Sequence, residues 1–207
     1  MKSSSNPILS SISKSKTVLA IVLSISLLAT GCSAQWLSIA LADLPVLIQM
    51  ALNIGTIITT FESGQQISAA EAAAIQNISA QASKDLNLLA TLYSDYKANP
   101  SASALQKIRS VIADINQSLP ALLLAAHIGD PVLSARIAAA VNLILSTVAS
   151  FSALMPQTSV RSSAQKVTRQ QSAIPNASDL KKQWNQQVCG PAINSALNFG
   201  TAGCLVR

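Results

Sequence analysis

The single histidine of the chain, His127, lies near side chains that could form a catalytic triad with it. Asp130 follows it by three residues, and Ser118 and Ser134 lie nearby in the sequence. A Ser/His/acid triad needs a carboxylate that holds the imidazole and aims it at one serine. Residues 129–131, Gly-Asp-Pro, are instead typical of a helix boundary, so we expect His127 to cap helix carbonyls or to face solvent.

Other patterns that carry catalysis or hold a cofactor are not found in the sequence. The seven glycines are spread along the chain without forming a phosphate-binding loop, and the eight acidic residues are scattered. No further metal ligands cluster around His127. We therefore predict a protein that is not an enzyme and holds no metal or cofactor, with an enzyme of unrecognised type as the alternative.

The N-terminal segment has the layout of an export signal. Residues 1–16 carry three lysines and no acid, and an apolar run follows at Thr17–Leu28. This run is short for a membrane-spanning helix, which needs about 20 apolar residues. A basic segment, a short apolar core and small residues after it are typical of a secretory signal. The basic end is expected to stay in the cytoplasm.

Residues 28–32, Leu-Ala-Thr-Gly-Cys, end this segment. The pattern resembles the lipobox of bacterial lipoproteins, with Ala29 where that family usually has Leu and with Leu28 one place further back. The resemblance implies that Cys32 is diacylated and that the mature chain starts there. Two or three acyl chains would then hold the protein firmly at a membrane. The alternatives are an ordinary cleaved signal, with Cys32 present by chance, and an uncleaved anchor.

The resemblance also implies a location and a pairing of the other cysteines. A lipoprotein faces the periplasm or the cell surface, and Ser33 after the lipidated residue favours the outer membrane over the inner. With Cys32 acylated, Cys189 and Cys204 remain as an even pair in an oxidising compartment. A disulfide between them would contribute about 3 kcal/mol. Two buried free thiols and an intermolecular bond are the alternatives.

The composition predicts an all-α protein. Half of the residues are hydrophobic, which is too apolar for a disordered chain, while only 3% are aromatic. The apolar residues are mostly Ala, Leu, Ile and Val, and Ala and Leu have the highest helix propensities. The scarcity of aromatic residues argues against a sheet-rich fold.

Apolar periodicity and helix signals divide the mature chain into four long helices. The first runs from about Trp36 to Thr60, and Pro45 is expected to kink or restart it. A polar stripe on this helix follows from the spacing of Gln49, Asn53, Thr56 and Thr60. The second begins with the capping box of residues 68–71 and ends at residues 99–100, Asn-Pro.

The third helix presents Leu105, Ile108, Ile112, Ile115 and Leu119 on one side. Pro120 is expected to kink or break it. Asp130 and Pro131 then predict the cap and first turn of a fourth helix, which Pro156 ends. We therefore predict an antiparallel four-helix bundle.

The predicted organisation has four parts, with a signal peptide at 1–31 and the bundle at 32–155. These parts are followed by a flexible basic linker at 156–178 and by a short helical, disulfide-closed segment at 179–207. Ser178 is the expected cap of the last helix. Residues 32–155 have a net charge of −2 and residues 156–207 one of +5. The possible contacts to a polyanion are Arg161, Lys166, Arg169, Lys181 and Lys182.

Two long uncharged runs bear on the partners. No charged residue occurs between Leu44 and Phe61 or between Ile137 and Val160, so each run is long enough to span a bilayer. Gln49, among other polar residues of these runs, argues for a water-exposed bundle whose first and last helices are central or covered by a partner.

We expect a lipid-anchored scaffold or interaction module of the cell envelope, bound to another envelope protein or to itself, and not to nucleic acid. A lipoprotein that binds an envelope polymer or a small apolar ligand, and a membrane-embedded bundle, are the alternatives.

Overall fold

The computed structural model describes residues 35–58, 67–156 and 176–189, and within these ranges the chain is all-helical, with no strand. The all-α class predicted from composition is thus confirmed for this part of the chain. After the last α-helix, Asn185–Cys189 continues as a π-helix. The α-helices are α1 (Gln35–Ile57), α2 (Ala69–Ala98), α3 (Ala102–Ala125), α4 (Pro131–Leu154) and α5 (Ala177–Trp184).

The capping box predicted at the start of α2 is confirmed. The Ser68 hydroxyl accepts a hydrogen bond from the backbone N–H of Glu71, and the Glu71 carboxylate accepts one from the backbone N–H of Ser68 at 2.9 Å. Each side chain therefore satisfies an amide that the helix leaves free. At the other end α2 stops at Ala98, with Asn99 as its C-cap, because the residue before Pro100 is disfavoured in the α region.

The predicted start of α4 is also confirmed. Oδ1 of Asp130 accepts hydrogen bonds of 2.9 Å from the backbone N–H groups of Val132 and Leu133, and Pro131 occupies the first turn. Proline is well tolerated there because its missing N–H would have no partner inside the helix. The helix ends at Leu154, next to Met155 and Pro156.

Neither internal proline interrupts its helix. Pro45 lies within α1, and Pro120 lies within α3, which runs on to Ala125. The sequence predicted a kink or a restart at Pro45 and a kink or a break at Pro120; the restart and the break are wrong, because both helices continue through their prolines. A proline inside a helix costs about 3 kcal/mol, but buried residues on either side, such as Leu44 and Leu47 in α1, pack into the core and offset that cost.

The cap of α5 also differs from the expectation. Asn176 accepts a hydrogen bond of 3.0 Å from the backbone N–H of Asp179 and is the N-cap, whereas the predicted cap, Ser178, lies inside the first turn. The helix therefore begins slightly earlier than the sequence suggested. Its apolar residues Leu180 and Trp184, followed by Val188 of the π-helix, are buried in the core.

One apolar core joins all five helices. The helix α3 packs against both α2 and α4, and α5 with its π-helical extension packs against α4. Between α1 and α2 the backbones approach closely at Gly55, where an added Cβ would lie 2.8 Å from Oε1 of Gln76 and 3.2 Å from Oγ of Ser79. The largest fully buried side chains include Trp184, Tyr93, Phe151, Leu44, Leu47 and Met50.

The predicted polar stripe on α1 is present in part. Gln49 and Thr56 are exposed, and Nε2 of Gln49 donates to Oδ1 of Asn53 at 3.0 Å. Asn53 itself is only 9% exposed. Thr60, the last member of the predicted stripe, lies outside the described residues.

Candidate functional site

Two residues considered for a catalytic triad, His127 and Asp130, lie at the turn between α3 and α4, whereas Ser118 lies within α3 and Ser134 within α4. His127 is exposed, has a φ of 44°, and its Nδ1 lies 2.8 Å from the backbone carbonyl of Ala125. The Asp130 carboxylate is occupied by the amides of Val132 and Leu133. The imidazole therefore lies at a helix end, as expected, and the carboxylate that would have to orient it caps α4 instead.

In the described ranges no three His, Cys, Asp or Glu side chains come close enough to hold a metal ion. This observation covers 35–58, 67–156 and 176–189 and gives no candidate metal centre there.

Several predicted site residues lie outside the described ranges. They are Cys32, Cys204, Arg161, Lys166 and Arg169, together with the signal peptide and most of the linker. Cys189 is the last residue of the π-helix and packs half-buried against the core. Its pairing with Cys204 therefore stays a prediction.

The remaining two candidate polyanion contacts, Lys181 and Lys182, lie on α5 beside a groove. The groove has a volume of about 500 Å³ and lies between α5 and α1. Nζ of Lys182 lies 3.8 Å from Oδ1 of Asp179, one turn away on the exposed surface. The lining is formed by Val46, Ala177, Ser178, Lys181, Lys182, Asn185 and Gln186. The lining residues of α5 and its π-helical extension include two lysines and two amides, but most of the lining surface is apolar.

A buried carboxylate joins α1 to the start of α5. Asp43 is 2% exposed, and its carboxylate accepts a hydrogen bond from the backbone N–H of Ala177. Its Oδ2 has no hydrogen-bond partner among the described residues. Burial raises the pKa of this carboxyl above its ordinary value, although the Ala177 hydrogen bond acts in the opposite direction.

A second buried charge lies on α4. Arg136 is 6% exposed, and burial lowers the pKa of its guanidinium. Sequence reasoning missed both buried charges. The signal was present, because Asp43 and Arg136 directly precede the uncharged runs that begin at Leu44 and Ile137. A single charged residue at the end of an apolar run can lie on the exposed or on the buried face of its helix. Asp43 and Arg136 both lie on the buried face.

Aromatic side chains close one end of the core. The rings of Trp36 and Tyr93 meet edge to face with centroids 5.5 Å apart, and Tyr93 meets Phe151 in the same way at 6.4 Å. Tyr96 also contacts Trp36, at 5.9 Å. This aromatic end therefore brings together the beginning of α1, the last turns of α2 and the end of α4.

Two helices, α1 and α4, are long and apolar enough to cross a membrane when judged by length and composition alone. About half of each apolar window is buried against the rest of the protein, 50% for α1 and 44% for α4. Core helices of water-soluble proteins pass the same test, so this observation is weak support for a spanning role.

Comparison of the chain with protein-family models, with curated proteins and with solved structures finds no match.

Proposed function

We propose that this chain is a lipid-anchored protein of the bacterial cell envelope, held at a membrane through acylated Cys32. The observation that carries the proposal is the lipobox-like Leu-Ala-Thr-Gly-Cys at residues 28–32, placed just ahead of α1, which begins at Gln35. The cleavage implied by this motif would leave α1 at the start of the folded part. The mature protein would then be a helical domain attached closely to its anchor.

We further propose that the helices form the antiparallel four-helix bundle expected from the sequence. Trp36 at the start of α1 contacts Tyr93 near the end of α2, while Gly55 near the end of α1 accepts a hydrogen bond from Gln76 near the start of α2. These contacts support opposite directions for α1 and α2. A disulfide between Cys189 and Cys204 would tie the segment after α5 to this bundle.

The distribution of exposed charge supports a role in binding a partner. The only charged residues of α1 and α4, Asp43 and Arg136, are both buried, so the exposed faces of these helices carry no charge. In contrast, α2 and α3 expose Lys84, Asp95, Lys97, Lys107 and Asp114. Charged residues are depleted at the centre of protein–protein interfaces, so an uncharged helix face supports binding of a partner there. The partner would be another envelope protein or a second copy of this chain.

Acylation is tested by labelling intact bacteria with radioactive palmitate and by mass spectrometry of the N-terminal peptide. The expected result is label on the wild-type protein, a mature chain beginning at Cys32, and loss of the label in Cys32→Ser. A mature protein that begins at Met1 with an unmodified Cys32 would refute the lipid anchor.

The same variant separates this proposal from a membrane-embedded bundle, which the length of α1 and α4 favours. For this test the Cys32→Ser chain carries an ordinary cleavable export signal in place of residues 1–31. If lipid alone anchors the protein, this chain is recovered as a water-soluble protein. If α1 and α4 span the bilayer, it stays in the membrane after alkaline extraction. That second outcome would establish the embedded alternative.

The partner is tested by photo-crosslinking in intact cells from two leucines of matched exposure. Leu52 on α1 is 48% exposed and Leu88 on α2 is 47% exposed. A crosslinking amino acid at position 52 is expected to capture a partner, whereas one at position 88 captures little. A product of twice the mass of the chain indicates self-association, and another mass indicates a second envelope protein. Equal capture from both positions would contradict a partner on the uncharged face.

A polyanion-binding role is a second candidate, because Lys181 and Lys182 line the groove beside α5. Retention of the protein on an anionic envelope polymer should fall with salt and in Lys181→Gln/Lys182→Gln. The control is Lys84→Gln, which removes an exposed lysine in the middle of α2. Equal retention of Lys181→Gln/Lys182→Gln and Lys84→Gln would rule out a role for the groove.

A further inference from the structure

The aromatic end of the core is also the end at which the lipid anchor would enter. Cys32 precedes Gln35, the first residue of α1, by three positions. A chain of three residues spans at most about 10 Å. Acylation at Cys32 would therefore hold the beginning of α1 within about 10 Å of the membrane surface.

The end of α2 and the start of α3, which lie at the aromatic end of the core, carry more cations than acids. Lys97 lies in the last turn of α2 and is exposed, and Lys107 is exposed near the start of α3. Arg109, two residues after Lys107 on α3, donates a hydrogen bond to the carbonyl of Pro156. Asp95 is the acidic residue that accompanies them. Three basic side chains and one acid give this end a positive character.

The opposite end of the helices has the reverse balance. Glu71 accepts a hydrogen bond of 2.6 Å from the backbone N–H of Gly129, and Asp130 caps α4 beside it. Arg136, six residues after Asp130 on α4, is buried. The two ends of the helices therefore differ in charge, with exposed cations at the end toward the predicted anchor and acids at the opposite end.

We infer that one end of the domain docks on an anionic phospholipid surface. This end is formed by Trp36, the α2–α3 junction and the end of α4, so the helices lie roughly perpendicular to the membrane plane. This orientation rests on the proposed lipid anchor. Lys97 follows Tyr96, which contacts Trp36 at the start of α1, so Lys97 lies at the end that the tether holds near the headgroups. Charges within a Debye length of about 10 Å at moderate salt are only partly screened, which favours attraction of this end to anionic lipid. The acids at the far end would be repelled and point outward.

Hydrogen–deuterium exchange on the full mature acylated protein tests this orientation. The protein is inserted into vesicles of phosphatidylcholine alone or of phosphatidylcholine mixed equally with phosphatidylglycerol. Amides of residues 97–104 are expected to exchange several-fold more slowly in the anionic vesicles at low salt, and the difference is expected to vanish at high salt. Amides of residues 126–132, at the far end, should exchange equally in both.

Charge reversal provides the matched comparison. Lys97→Glu/Lys107→Glu is expected to abolish the protection of 97–104 by anionic lipid, while Lys84→Glu in the middle of α2 preserves it. Circular dichroism verifies that both variants keep the wild-type melting behaviour. A double variant that unfolds is replaced by Lys97→Gln/Lys107→Gln, which is expected to weaken the protection.

Two results would overturn the orientation. One is equal exchange of residues 97–104 in neutral and anionic vesicles, and the other is protection of residues 126–132 instead. Either result with an acylated protein refutes the docking surface and leaves the lipid anchor intact. A native protein without an acyl group at Cys32 refutes the proposed function itself, and mass spectrometry of the same sample reads this out separately.

Discussion

The hydroxyl of Ser79 donates a hydrogen bond of 2.8 Å to the backbone carbonyl of Ala51 and so joins α2 to α1 inside the core. One turn further along α1, the carbonyl of Gly55 accepts a hydrogen bond of 3.1 Å from Nε2 of Gln76. Side chain-to-backbone bonds of this kind require the two helices to approach closely. Gly55 permits this approach because it has no Cβ.

Replacing Gly55 with valine is therefore expected to destabilise the protein by about 1–3 kcal/mol, the usual cost of overpacking a filled interior. The added side chain would collide with Oγ of Ser79 and displace Gln76. Urea unfolding followed by circular dichroism measures the loss. Leu52→Val, on an exposed face of the same helix, is the control and should change the free energy of unfolding by less than about 0.5 kcal/mol. Equal stability of Gly55→Val and wild type would contradict the close contact.

The Glu71 carboxylate predicts a loss of stability in acid. Its pKa is lowered mainly by the hydrogen bond from the Gly129 backbone N–H, and further by the hydroxyl and backbone N–H of Ser68. Because the folded state holds Glu71 as a carboxylate more strongly than the unfolded state does, its contribution is present above the ordinary pKa and is lost as the pH falls through the lowered value. Glu71→Gln should therefore be less stable than wild type at neutral pH, and the gap should close in acid. A gap that is independent of pH would contradict this assignment.

Asp43 predicts the opposite dependence. Burial raises its pKa from the ordinary 3.8, so the folded state binds a proton more readily than the unfolded state. Ionisation of Asp43 therefore lowers the free energy of unfolding as the pH rises through the ordinary pKa. The loss is complete once the pH exceeds the raised pKa of the folded state. The Asp43→Asn variant should consequently have a higher free energy of unfolding than wild type at neutral pH, and this difference should shrink in acid. Measuring urea unfolding against pH in the Glu71→Gln background isolates this effect, and a destabilised Asp43→Asn at neutral pH would contradict it.

Local signals in the sequence predicted most of the helix boundaries. The capping box at Ser68 and Glu71 and the Asp130 cap of α4 depend on side chains within three residues of the amides they bind, so spacing alone identifies them. The outcome at Pro45 and Pro120 was not predictable in the same way. Whether a helix continues through a proline depends on how much apolar surface it buries on both sides, which is a property of the tertiary structure.

The features of the candidate site were less accessible to sequence reasoning. The hydrogen bond from Ala177 to Asp43 and the groove beside Lys181 join positions far apart in the chain, so no local spacing encodes them. The pattern of charge did indicate that α1 and α4 are unusual. It could not show that Asp43 and Arg136 point into the core, which is what leaves the outer faces uncharged.

The helix α5 is expected to contribute to the stability of the whole domain. Trp184 is completely buried, and Leu180 one turn before it is buried as well. Trp184→Ala should lower the free energy of unfolding by about 3–5 kcal/mol, the range for truncating a large aromatic side chain in a core. Gln186→Ala, exposed on the π-helix, is the control and should have little effect. If the two variants unfold alike, α5 does not belong to the cooperative core.

The aromatic end contains a polar group whose removal should stabilise the protein. The Tyr93 side chain is fully buried between Trp36 and Phe151, and its hydroxyl has no hydrogen-bond partner among the described residues. Burial also raises the pKa of this phenol, because the charged form would lose its hydration. Leaving a buried donor without an acceptor costs about 1–3 kcal/mol.

Tyr93→Phe keeps the ring and its edge-to-face contacts and removes only the hydroxyl. We expect it to raise the free energy of unfolding by about 1 kcal/mol, the lower end of the cost of an unsatisfied buried donor. Tyr96→Phe, on the half-buried ring that also contacts Trp36, is the matched control and should stay within about 0.5 kcal/mol of wild type. Urea unfolding of both variants at neutral pH gives the comparison. A Tyr93→Phe variant less stable than wild type would mean that the hydroxyl has an acceptor, and the aromatic end would then contain a polar contact that stabilises the fold.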